Sequence, residues 1–491
     1  MKLTELLSDL TYECVRGTLD REVADVGCDS RKVQPDSLFL CIIGANFDGH
    51  DYAEEVAGKG ASVLVVSREV NLPEGMDVTV IRVEDTRCAE GVLAANWYGH
   101  PADRLTTIGI TGTKGKTTTT YLVKSILENA GILCGLVGTI ETMIGTKHIP
   151  SSNTTPDAFT LQKYFSQMVS AGLKAVVMEV SSQALMQHRT GGFVFDFGVF
   201  TNLEPDHIGP NEHKDFDEYL QCKGMLFRQC RVGIVNGDDS HAEKVLQGHT
   251  CQVETFGLGE TCDLRASDLS LFNRGSVLGV RFAVHGLMET EVELPFPGRF
   301  SVYNALCAIA ICRHFGVEQA LMQKALLGAK VKGRIERVEI SPKFTLLIDY
   351  AHNAMALESL LTTLREYAPK RLVCLFGCGG NRARSRRFEM GEVSGRLADL
   401  TIITSDNPRF EEPLDIIEDI KTGIGKTTGE YVVISDRREA IRYAISHAEE
   451  GDVIILAGKG HEDYQEIKGV KYPMDERVII RELLEEGLTH I

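Results

Sequence analysis

The feature that most constrains the fold is the segment 109–120, which reads Gly-Ile-Thr-Gly-Thr-Lys-Gly-Lys-Thr-Thr-Thr-Thr. It follows an apolar, β-branched run at 105–110 and precedes a helical pattern that ends near Gly131. A glycine-rich turn between a strand and a helix lets backbone N–H groups surround phosphate oxygens, and the helix N-terminus adds positive potential. The segment therefore predicts a phosphate-binding loop, although position 110 is Ile where the general pattern has Gly, so that Gly112 makes the turn. An ordinary glycine-rich turn is the alternative.

Strand and helix patterns alternate around this loop and again after about residue 335. Buried-strand candidates include 173–180, 193–200 and 231–235, and a strand-only stretch near 261–297 predicts a small antiparallel addition. We predict an α/β protein of three domains: a small mixed α/β N-terminal domain (1–100), a central parallel-sheet P-loop ATPase domain (101–334) and a C-terminal Rossmann-like, doubly wound domain (335–491). Gly99 and Pro101 mark the first linker.

Charge and cysteine usage limit the function. The chain has 491 residues and a formal net charge of −17, which disfavours nonspecific nucleic-acid binding because that requires many cations to displace counterions. Thirteen cysteines without paired metal-ligand spacing indicate reduced thiols. No apolar run reaches the length of about 18 residues that a membrane span needs. We expect a cytoplasmic monomer with no nucleic-acid partner.

Several blocks, in this order along the chain, carry a resemblance to a known family. They are Asp-Ser-Arg (29–31), Gly-Thr-Lys-Gly-Lys-Thr-Thr-Thr (112–119), Asn-Thr-Thr-Pro-Asp (153–157), Glu-Val-Ser-Ser-Gln-Ala-Leu (179–185), Thr-Asn-Leu-Glu-Pro-Asp-His (201–207), Tyr-Leu-Gln-Cys-Lys (219–223), Gly-Arg-Ile-Glu (333–336), Asp-Tyr-Ala-His-Asn (349–353), Phe-Gly-Cys-Gly-Gly (376–380), Asp-Asn-Pro-Arg (406–409) and Gly-Lys-Gly-His-Glu (458–462). The chain resembles the Mur ligase family, the ATP-dependent amide ligases of peptidoglycan synthesis, and within it the branch that adds meso-diaminopimelate to UDP-N-acetylmuramoyl-L-alanyl-D-glutamate. That resemblance implies ATP and Mg²⁺ as cofactors.

The resemblance also implies the catalytic groups. Those that would bind ATP are Gly112, Thr113, Lys114, Gly115, Lys116, Thr117, Thr118, Asn304 and Arg334. Those that would hold Mg²⁺ are Thr117, Glu179, His207 and, if carbamylated, Lys223. Arg334 and Asp349 match residues that close the third domain over the nucleotide. Considered without the resemblance, Lys223 is typical of an exposed lysine on a helix. Glu179 and His207 are then typical of solvated side chains, and Asn304 is typical of a helix N-cap.

Two sets of residues are implied for the substrates. For the UDP-muramoyl dipeptide they are Ser30, Thr154, Thr155, Ser182, Gln187 and Arg189; for the incoming amino acid they are Arg382, Asp406, Asn407, Pro408, Arg409, Gly458 and Glu462. Arg409 is the candidate for the distal carboxylate of meso-diaminopimelate, because arginine offers a planar, bidentate fork to a carboxylate. An analogue without that carboxylate, such as lysine, would leave Arg409 unpaired and would therefore be rejected. Turn or cap chemistry is the alternative for each Ser and Thr.

Other functions stay open at this point. The same reaction with L-lysine or another diamino acid, a folylpolyglutamate synthase-type ligase, and a nucleotide-binding regulatory protein without catalysis all share the loop. The chain also departs from the family pattern at Ala354 and Met355, where Pro and Asp are usual, and after Gly380, where Asn-Arg-Ala-Arg-Ser-Arg-Arg-Phe follows. These departures bear on local loop shape and leave the phosphate loop untouched.

Overall fold

The computed structural model describes residues 1–44, 47–206, 208, 209 and 212–487. They form two compact units, the first comprising Met1–Asp263 with Cys307–Glu318 and the second comprising Leu264–Leu306 with the chain from Gln319 onward. The domain boundaries predicted after residues 100 and 334 stay predictions. Among the described residues, no helix combines the length and the apolar character that crossing a bilayer requires.

The N-terminal part of the first unit is a small mixed α/β layer. Its elements are α1 (Leu3–Leu6), β1 (Glu13–Arg16), β2 (Asp25–Gly27), β3 (Ser37–Leu40), α2 (Ala53–Gly58), β4 (Ala61–Val66), β5 (Thr79–Arg82) and α3 (Thr86–Tyr98), with 3-10 turns at Gly49–Tyr52 and Pro101–Arg104. The strand order is β1-β5-β4-β3-β2, and only β1 runs antiparallel to its neighbour. Every residue of β3 and β4 is buried, because both faces of these strands are covered.

The rest of the first unit is a larger, mostly parallel sheet. Its elements are β6 (Thr106–Thr111), α4 (Lys116–Asn129), β7 (Cys134–Val137), β8 (Glu141–Ile144), β9 (Lys147–Pro150), α5 (Ala158–Ser170), β10 (Ala175–Glu179), α6 (Ser182–Met186), β11 (Phe195–Phe200), α7 (Phe216–Gly224), a 3-10 turn (Met225–Arg228), β12 (Cys230–Asn236), α8 (Ala242–Val245) and β13 (Gln252–Gly257). The order is β13-β12-β11-β6-β10-β7-β8-β9, with antiparallel pairing only at β8 and β9.

The register of the strands brings Glu179 and the start of the phosphate loop to the same edge of this sheet. Strand β6 pairs in parallel with β10 on one side and β11 on the other, so that Glu179 lies opposite Ile110 and Phe200 lies opposite Thr111. The carboxyl ends of the three strands therefore end at the same level, which is where open α/β sheets bind ligands. The loops that follow these strands carry Gly112, Val180 and Thr201.

The second unit contains an antiparallel sheet and a doubly wound sheet. Its elements along the chain are β14 (Leu264–Arg274), β15 (Val277–Gly286), β16 (Thr290–Leu294), α9 (Arg299–Cys312), a 3-10 turn (Arg313–Phe315), α10 (Gln319–Leu327), β17 (Glu336–Val338), β18 (Thr345–Asp349), α11 (Ala354–Arg365), β19 (Arg371–Phe376), α12 (Ser385–Leu397), β20 (Leu400–Ile403), α13 (Pro413–Ile424), β21 (Glu430–Val433), α14 (Arg437–Ser446), β22 (Asp452–Ala457), β23 (Tyr464–Ile467), β24 (Val470–Pro473) and α15 (Glu476–Glu485). Of these, α9 straddles the residue ranges of the two units, and the 3-10 turn after it lies within the range of the first unit.

The doubly wound sheet has the order β17-β18-β22-β19-β20-β21, parallel except for β17. Apolar clusters cover both of its faces, one with α11, α12 and α13 and the other with α14 and α15. The predicted α/β class with a Rossmann-like C-terminal part is confirmed, as is the antiparallel addition of β14, β15 and β16. The sequence did not predict the hairpin of β23 and β24.

Candidate active site

The phosphate loop has the predicted strand–turn–helix form. Strand β6 ends at Thr111, and α4 begins at Lys116 with Gly115 as its left-handed N-cap residue at φ +86°. Gly112 has φ +148°, and a Cβ atom there would lie 1.9 Å from the hydroxyl oxygen of Thr201. Only glycine fits at this position, because a side chain would meet both a strained backbone conformation and the neighbouring loop.

The segment after β11 holds the loop in place. Asn202 accepts a hydrogen bond from the Lys114 N–H with its side-chain oxygen at 2.8 Å and returns one from its amide nitrogen to the Lys114 carbonyl at 3.1 Å. The Thr201 hydroxyl donates to the same carbonyl at 2.7 Å. These contacts fix the backbone of the loop before any nucleotide is bound, which reduces the ordering cost of binding.

Lys116 lies across the loop that it belongs to. Its Nζ atom donates to the carbonyl oxygens of Gly112 at 2.7 Å and Thr113 at 3.1 Å. A cation held beside a helix N-terminus is suited to a phosphate oxygen, which would replace these carbonyl contacts.

Thr117 and Glu179 meet beside the loop. The Thr117 hydroxyl lies 3.0 Å from both carboxylate oxygens of Glu179, and both side chains are buried. Thr139 donates to the same carboxylate with its N–H at 2.8 Å and with its hydroxyl at 3.1 Å. The expectation that Glu179 is merely solvated is therefore wrong, because hydrogen bonds from two threonines replace water around a buried carboxylate. His207 lies outside the described residues.

Lys223 is buried on α7, against the reading of an exposed helical lysine. Its side chain is 1 % exposed, its Nζ donates to the Gly112 carbonyl at 3.0 Å, and it lies 4.4 Å from the centre of the Tyr219 ring. The Tyr219 hydroxyl in turn lies 3.1 Å from the hydroxyl of Thr113. Burial, and then the nearby charge of Lys116, hold the pKa of Lys223 well below its usual value. This amine is therefore biased toward its neutral form.

Most residues expected to hold the dipeptide gather at the end of β10. The Thr155 hydroxyl donates to the Glu179 carbonyl at 2.9 Å and accepts from the Ser181 N–H at 3.0 Å. Arg189 donates to the Thr155 carbonyl at 2.9 Å and to the side-chain oxygen of Gln187 at 2.7 Å.

The remaining members of this set are more dispersed. The Thr154 hydroxyl lies 3.1 Å from that of Thr139, which joins it to the Glu179 carboxylate. Ser182 lies 2.8 Å from the buried ring of His213. Ser30 is half-buried in a turn after β2, and no described hydrogen bond links its side chain to the other members.

In the second unit, Asp349 ends strand β18 in a half-buried position. Its two carboxylate oxygens accept the backbone N–H groups of Ala351 and Ile335, each at 2.8 Å. Burial raises the pKa of Asp349, while the charge of Arg334 opposes that rise. Arg334 lies over the Tyr350 ring at 4.7 Å. Asp349 therefore ties the end of the strand to the segment that carries Arg334.

The loop after Asp349 takes a regular form despite its unusual sequence. Asn353 caps α11 by accepting the Ala356 N–H at 2.9 Å, so that Ala354 and Met355 form the first turn of that helix.

Asn304 lies inside α9, which begins at Arg299, so the N-cap alternative for Asn304 is wrong.

The segment 406–409 and the loop 458–462 come together at the carboxyl ends of β20 and β22. Asp406, Asn407 and Pro408 are buried, and the Asn407 amide donates to Glu462 at 2.9 Å. Gly458 has φ +103° and donates its N–H to the Asp349 carbonyl at 3.0 Å. These residues, expected to bind the amino acid, form one polar cluster.

Arg409 is already paired. Its Nε atom donates to Glu466 on β23 at 3.2 Å and its Nη1 atom donates to the Gly380 carbonyl at 2.9 Å, while about a quarter of its side chain is exposed. The sequence argument assumed that an absent substrate carboxylate leaves Arg409 unpaired, and that assumption is wrong because β23 supplies a carboxylate.

The arginine-rich segment after Gly380 is largely structural. Arg384 and Arg387 bind Asp419 of α13, and Arg387 also binds Glu411. Arg382 is exposed. Of these three arginines the sequence singled out Arg382, for which no bond to Asp419 or Glu411 is described.

Several site residues were missed from the sequence. Thr139, Thr201, Asn202, Lys459 and Glu466 all touch residues of the two clusters. Thr201, Asn202 and Lys459 lie inside sequence blocks that carry the family resemblance, and this position was the signal that could have identified them. Thr139 and Glu466 lie in segments without a motif, so only the tertiary structure brings them in.

These geometries define a P-loop α/β protein with a buried threonine–carboxylate pair beside the loop and a polar cluster on a second, Rossmann-like sheet. Family models match in sequence: "Mur ligase family, catalytic domain" over 22–98, "Mur ligase middle domain" over 110–312 and "Mur ligase, glutamate ligase domain" over 333–460. The chain belongs to the Mur ligase family.

Known relatives extend this result over the full length. The UDP-N-acetylmuramoyl-L-alanyl-D-glutamate–2,6-diaminopimelate ligase of Caldanaerobacter subterraneus subsp. tengcongensis is 44% identical over 489 residues, covering 99% of this chain and 100% of the relative. A solved structure of an enzyme with the same name is 28% identical, with a TM-score of 0.74 and full coverage of both chains. A Mycobacterium tuberculosis folylpolyglutamate synthase complexed with ADP and AMPPCP shares the fold at 16% identity and TM-score 0.59, covering 76% of this chain and 92% of that one.

Proposed function

We propose that this protein is an ATP-dependent ligase that joins meso-diaminopimelate to UDP-N-acetylmuramoyl-L-alanyl-D-glutamate, forming an amide, ADP and phosphate. The observation that carries the proposal is the pairing of Thr117 with Glu179 directly beside a P-loop. Full-length relatives with this named reaction support the choice of substrates. Activity of this kind belongs to peptidoglycan synthesis in the cytoplasm, and all thirteen cysteines, each within the described residues, are free thiols as a reducing compartment requires.

Amide formation from a carboxylate requires that one of its oxygens become a leaving group. Transfer of the γ-phosphoryl group of ATP to the carboxylate gives an acyl phosphate, and attack by the amine then releases phosphate through a tetrahedral intermediate. The loop N–H groups and Lys116 would bind the nucleotide phosphates, and Lys116 would stabilise the charge on the transferring group. Thr118, in the first turn of α4, and Asn304 complete the proposed nucleotide contacts with this chain.

The oxygen ligands beside the loop fit Mg²⁺. Thr117 offers a hydroxyl and Glu179 a carboxylate, which are the ligand types that this ion prefers, and both side chains are fixed by buried hydrogen bonds. When bound, the ion would neutralise phosphate charge during transfer. We assign Thr117 and Glu179 as protein ligands, with His207 as a further candidate from the sequence.

Lys223 is proposed to carry a carbamate. The lone pair of its neutral amine nitrogen attacks the carbon of CO₂, an N–C bond forms while one C–O π bond opens onto oxygen, and the nitrogen releases one proton to solvent, so that a buried neutral amine becomes an anionic oxygen ligand. Full burial and the absence of a carboxylate within ion-pair distance among the described residues support this assignment. An anion at this position would relieve the repulsion between Lys223 and Lys116 and would provide another oxygen for the metal.

The UDP-muramoyl dipeptide is assigned to the group at the end of β10. Thr154, Thr155, Ser182, Gln187 and Arg189 offer hydroxyl, amide and guanidinium groups beside Glu179, and a dipeptide bound to them would bring its anionic groups next to the phosphate loop. Ser30 is assigned to the uracil side. The amino acid is assigned to Asp406, Asn407, Pro408, Arg409, Gly458 and Glu462, with Arg382 as an exposed candidate for a carboxylate.

The test is phosphate release by the purified full chain. Release is expected only when ATP, Mg²⁺, the UDP-muramoyl dipeptide and meso-diaminopimelate are all present. Replacing meso-diaminopimelate with L-lysine tests the amino acid, and release that is faster with L-lysine would overturn the assignment. ATP binding without release under any of these conditions would instead favour a non-catalytic binding protein.

A further inference from the structure

A lysine outside the assigned sites is buried at the centre of the amino-acid cluster. Lys459 follows strand β22, between Gly458 and Gly460, and its side chain has no exposed surface. Both flanking glycines have positive φ, +103° and +52°, and a Cβ at Gly460 would lie 2.6 Å from that of Tyr350. The glycines therefore allow the backbone to turn so tightly that the lysine points inward.

The ammonium group of Lys459 joins three segments of the chain. It donates to the Asn407 side-chain oxygen at 2.9 Å, to Glu462 Oε2 at 2.8 Å and to the backbone carbonyl of Tyr464. Asp406 Oδ1 lies 3.4 Å away. One side chain thus links the segment after β20, the loop after β22 and the start of the β23–β24 hairpin.

These contacts determine how Asn407 and Glu462 are oriented. The Asn407 oxygen accepts from Lys459 and from the Glu466 N–H at 2.9 Å, so its amide nitrogen faces Glu462 Oε2, which it reaches at 2.9 Å. Glu462 Oε2 then accepts two hydrogen bonds, whereas Oε1 has, among the described residues, only a long 3.5 Å contact with the Tyr350 hydroxyl. Oε1 is the oxygen left to receive a ligand.

Charge at this position also favours a cationic ligand. Asp406 and Glu462 bring two carboxylates against the single ammonium group of Lys459. Asp406 Oδ1 is buried and has no hydrogen-bond partner among the described residues. A surplus of negative charge next to an unfilled acceptor is complementary to the ammonium group of an amino acid.

We propose that Lys459 is a positioning residue that fixes Asn407 and Glu462 to receive an ammonium group of the incoming diamino acid. This inference rests on the proposed ligase function. Lys459 does not touch the substrate; it holds one oxygen of Glu462 so that the other faces the site, and it keeps Asp406 and Glu462 from repelling each other. Replacing it would loosen the amino-acid site and leave the phosphate loop, which belongs to the other unit, unchanged.

The experiment compares Lys459→Met, Lys459→Arg and the wild type by steady-state kinetics in all three substrates. We expect Lys459→Met to raise the KM for meso-diaminopimelate at least about tenfold, because charge-assisted hydrogen bonds to both binding residues are lost. The KM values for ATP and the UDP-muramoyl dipeptide should stay within about twofold of wild type. Lys459→Arg, which keeps the charge, should recover part of the loss. Lys468→Met makes the same chemical change at an exposed position of the same hairpin and is the matched control.

A double-mutant cycle separates positioning from general stabilisation. If Lys459 acts through Glu462, the effect of Lys459→Met on the KM for meso-diaminopimelate should be much smaller in a Glu462→Gln background. Equal effects in both backgrounds, or parallel changes in all three KM values, would overturn the inference. If Lys459→Met does not fold, Lys459→Gln, which keeps a donor without the charge, is used in the same cycle. Lack of turnover by the wild type would instead refute the ligase function itself.

Discussion

Lys116 and Lys223 donate hydrogen bonds to the same acceptor, the carbonyl oxygen of Gly112, at 2.7 and 3.0 Å. Two ammonium groups on one oxygen repel each other, and burial of Lys223 adds to the cost of its charge. The arrangement is stable if one amine is neutral or modified. Lys223 of α7 therefore brings an amine that is biased toward its neutral form within hydrogen-bond distance of the phosphate-loop backbone.

The first prediction concerns modification of Lys223. Protein equilibrated with ¹³C-labelled bicarbonate should show a carbamate carbon signal that is absent in Lys223→Ala. We expect Lys223→Ala to lower kcat on the order of 100-fold, as the loss of one preorganised electrostatic group does in other active sites. Lys163→Ala, at an exposed lysine of α5, is the control and should keep both signal and rate. A wild-type spectrum without the signal contradicts the modification.

The second prediction concerns the turn of the loop. Gly112→Ala should lower the free energy of unfolding by about 3 kcal/mol, since it combines an unfavourable φ with a contact of 1.9 Å to Thr201. Gly131→Ala is the matched control, because Gly131 has φ +79° but nothing within 4 Å of the added Cβ, so it should cost only about 1–2 kcal/mol. Urea denaturation measures both, and equal losses would show that the contact with Thr201 does not matter.

The third prediction tests the hydroxyl beside the carboxylate. Thr117→Val keeps the shape of the side chain but removes the hydroxyl that lies 3.0 Å from Glu179. We expect kcat to fall on the order of 100-fold with an unchanged KM for meso-diaminopimelate, because the site proposed for that substrate belongs to the other unit. Thr117→Ser should restore most of the rate. If Thr117→Ser is as impaired as Thr117→Val, the methyl group matters more than the hydroxyl.

The fourth prediction follows from the Arg409–Glu466 pair. Glu466 occupies Nε of Arg409 and competes by charge with any substrate carboxylate for the guanidinium, so Glu466→Gln should lower the KM for meso-diaminopimelate by roughly tenfold, in line with about 1.5 kcal/mol for a charged hydrogen bond. Arg409→Met should raise the same KM by at least that factor while ATP binding persists. L-Lysine, without the distal carboxylate, should respond to neither change. A parallel response of the two amino acids would place the distal carboxylate elsewhere.

Local sequence was sufficient for elements whose own residues encode them. The run Thr345–Asp349 is buried strand β18, and α11 begins at Ala354 as predicted, because Asn353 supplies its cap. The phosphate loop was also predicted correctly from local sequence, because its glycines Gly112 and Gly115 are the residues that adopt the positive φ values of such a turn. These features depend on few distant contacts.

Features that depend on residues distant in sequence could not be predicted from local sequence patterns. The sequence around Lys223 is typical of a surface lysine on a helix. The lysine is instead buried and donates a hydrogen bond to the Gly112 carbonyl, which lies 111 positions away in sequence. The β23–β24 hairpin lacks the alternation of a half-buried strand, because its residues are all partly or fully exposed. It is nevertheless the hairpin that places Glu466 on Arg409, so the pairing of that arginine was missed.

The last prediction concerns a buried carboxyl group on α3. Glu90 is 5 % exposed, and burial, followed by the charge of Asp157, raises its pKa from 4.5 to about 7. Between these two values the folded state binds more protons than the unfolded state, so the free energy of unfolding falls as pH rises through this window. Over the full shift the loss amounts to about 3 kcal/mol.

Glu90→Gln should remove this dependence. The amide keeps the size of the side chain but has no charge to bury, so the variant should gain stability relative to the wild type between pH 5 and pH 8, by about 3 kcal/mol at most. Urea denaturation at both pH values measures the difference, with Glu54→Gln, an exposed glutamate of α2, as the control for loss of one negative charge. Parallel stability curves for Glu90→Gln and the wild type would mean that Arg87 and Arg189, which favour the charged form, outweigh burial.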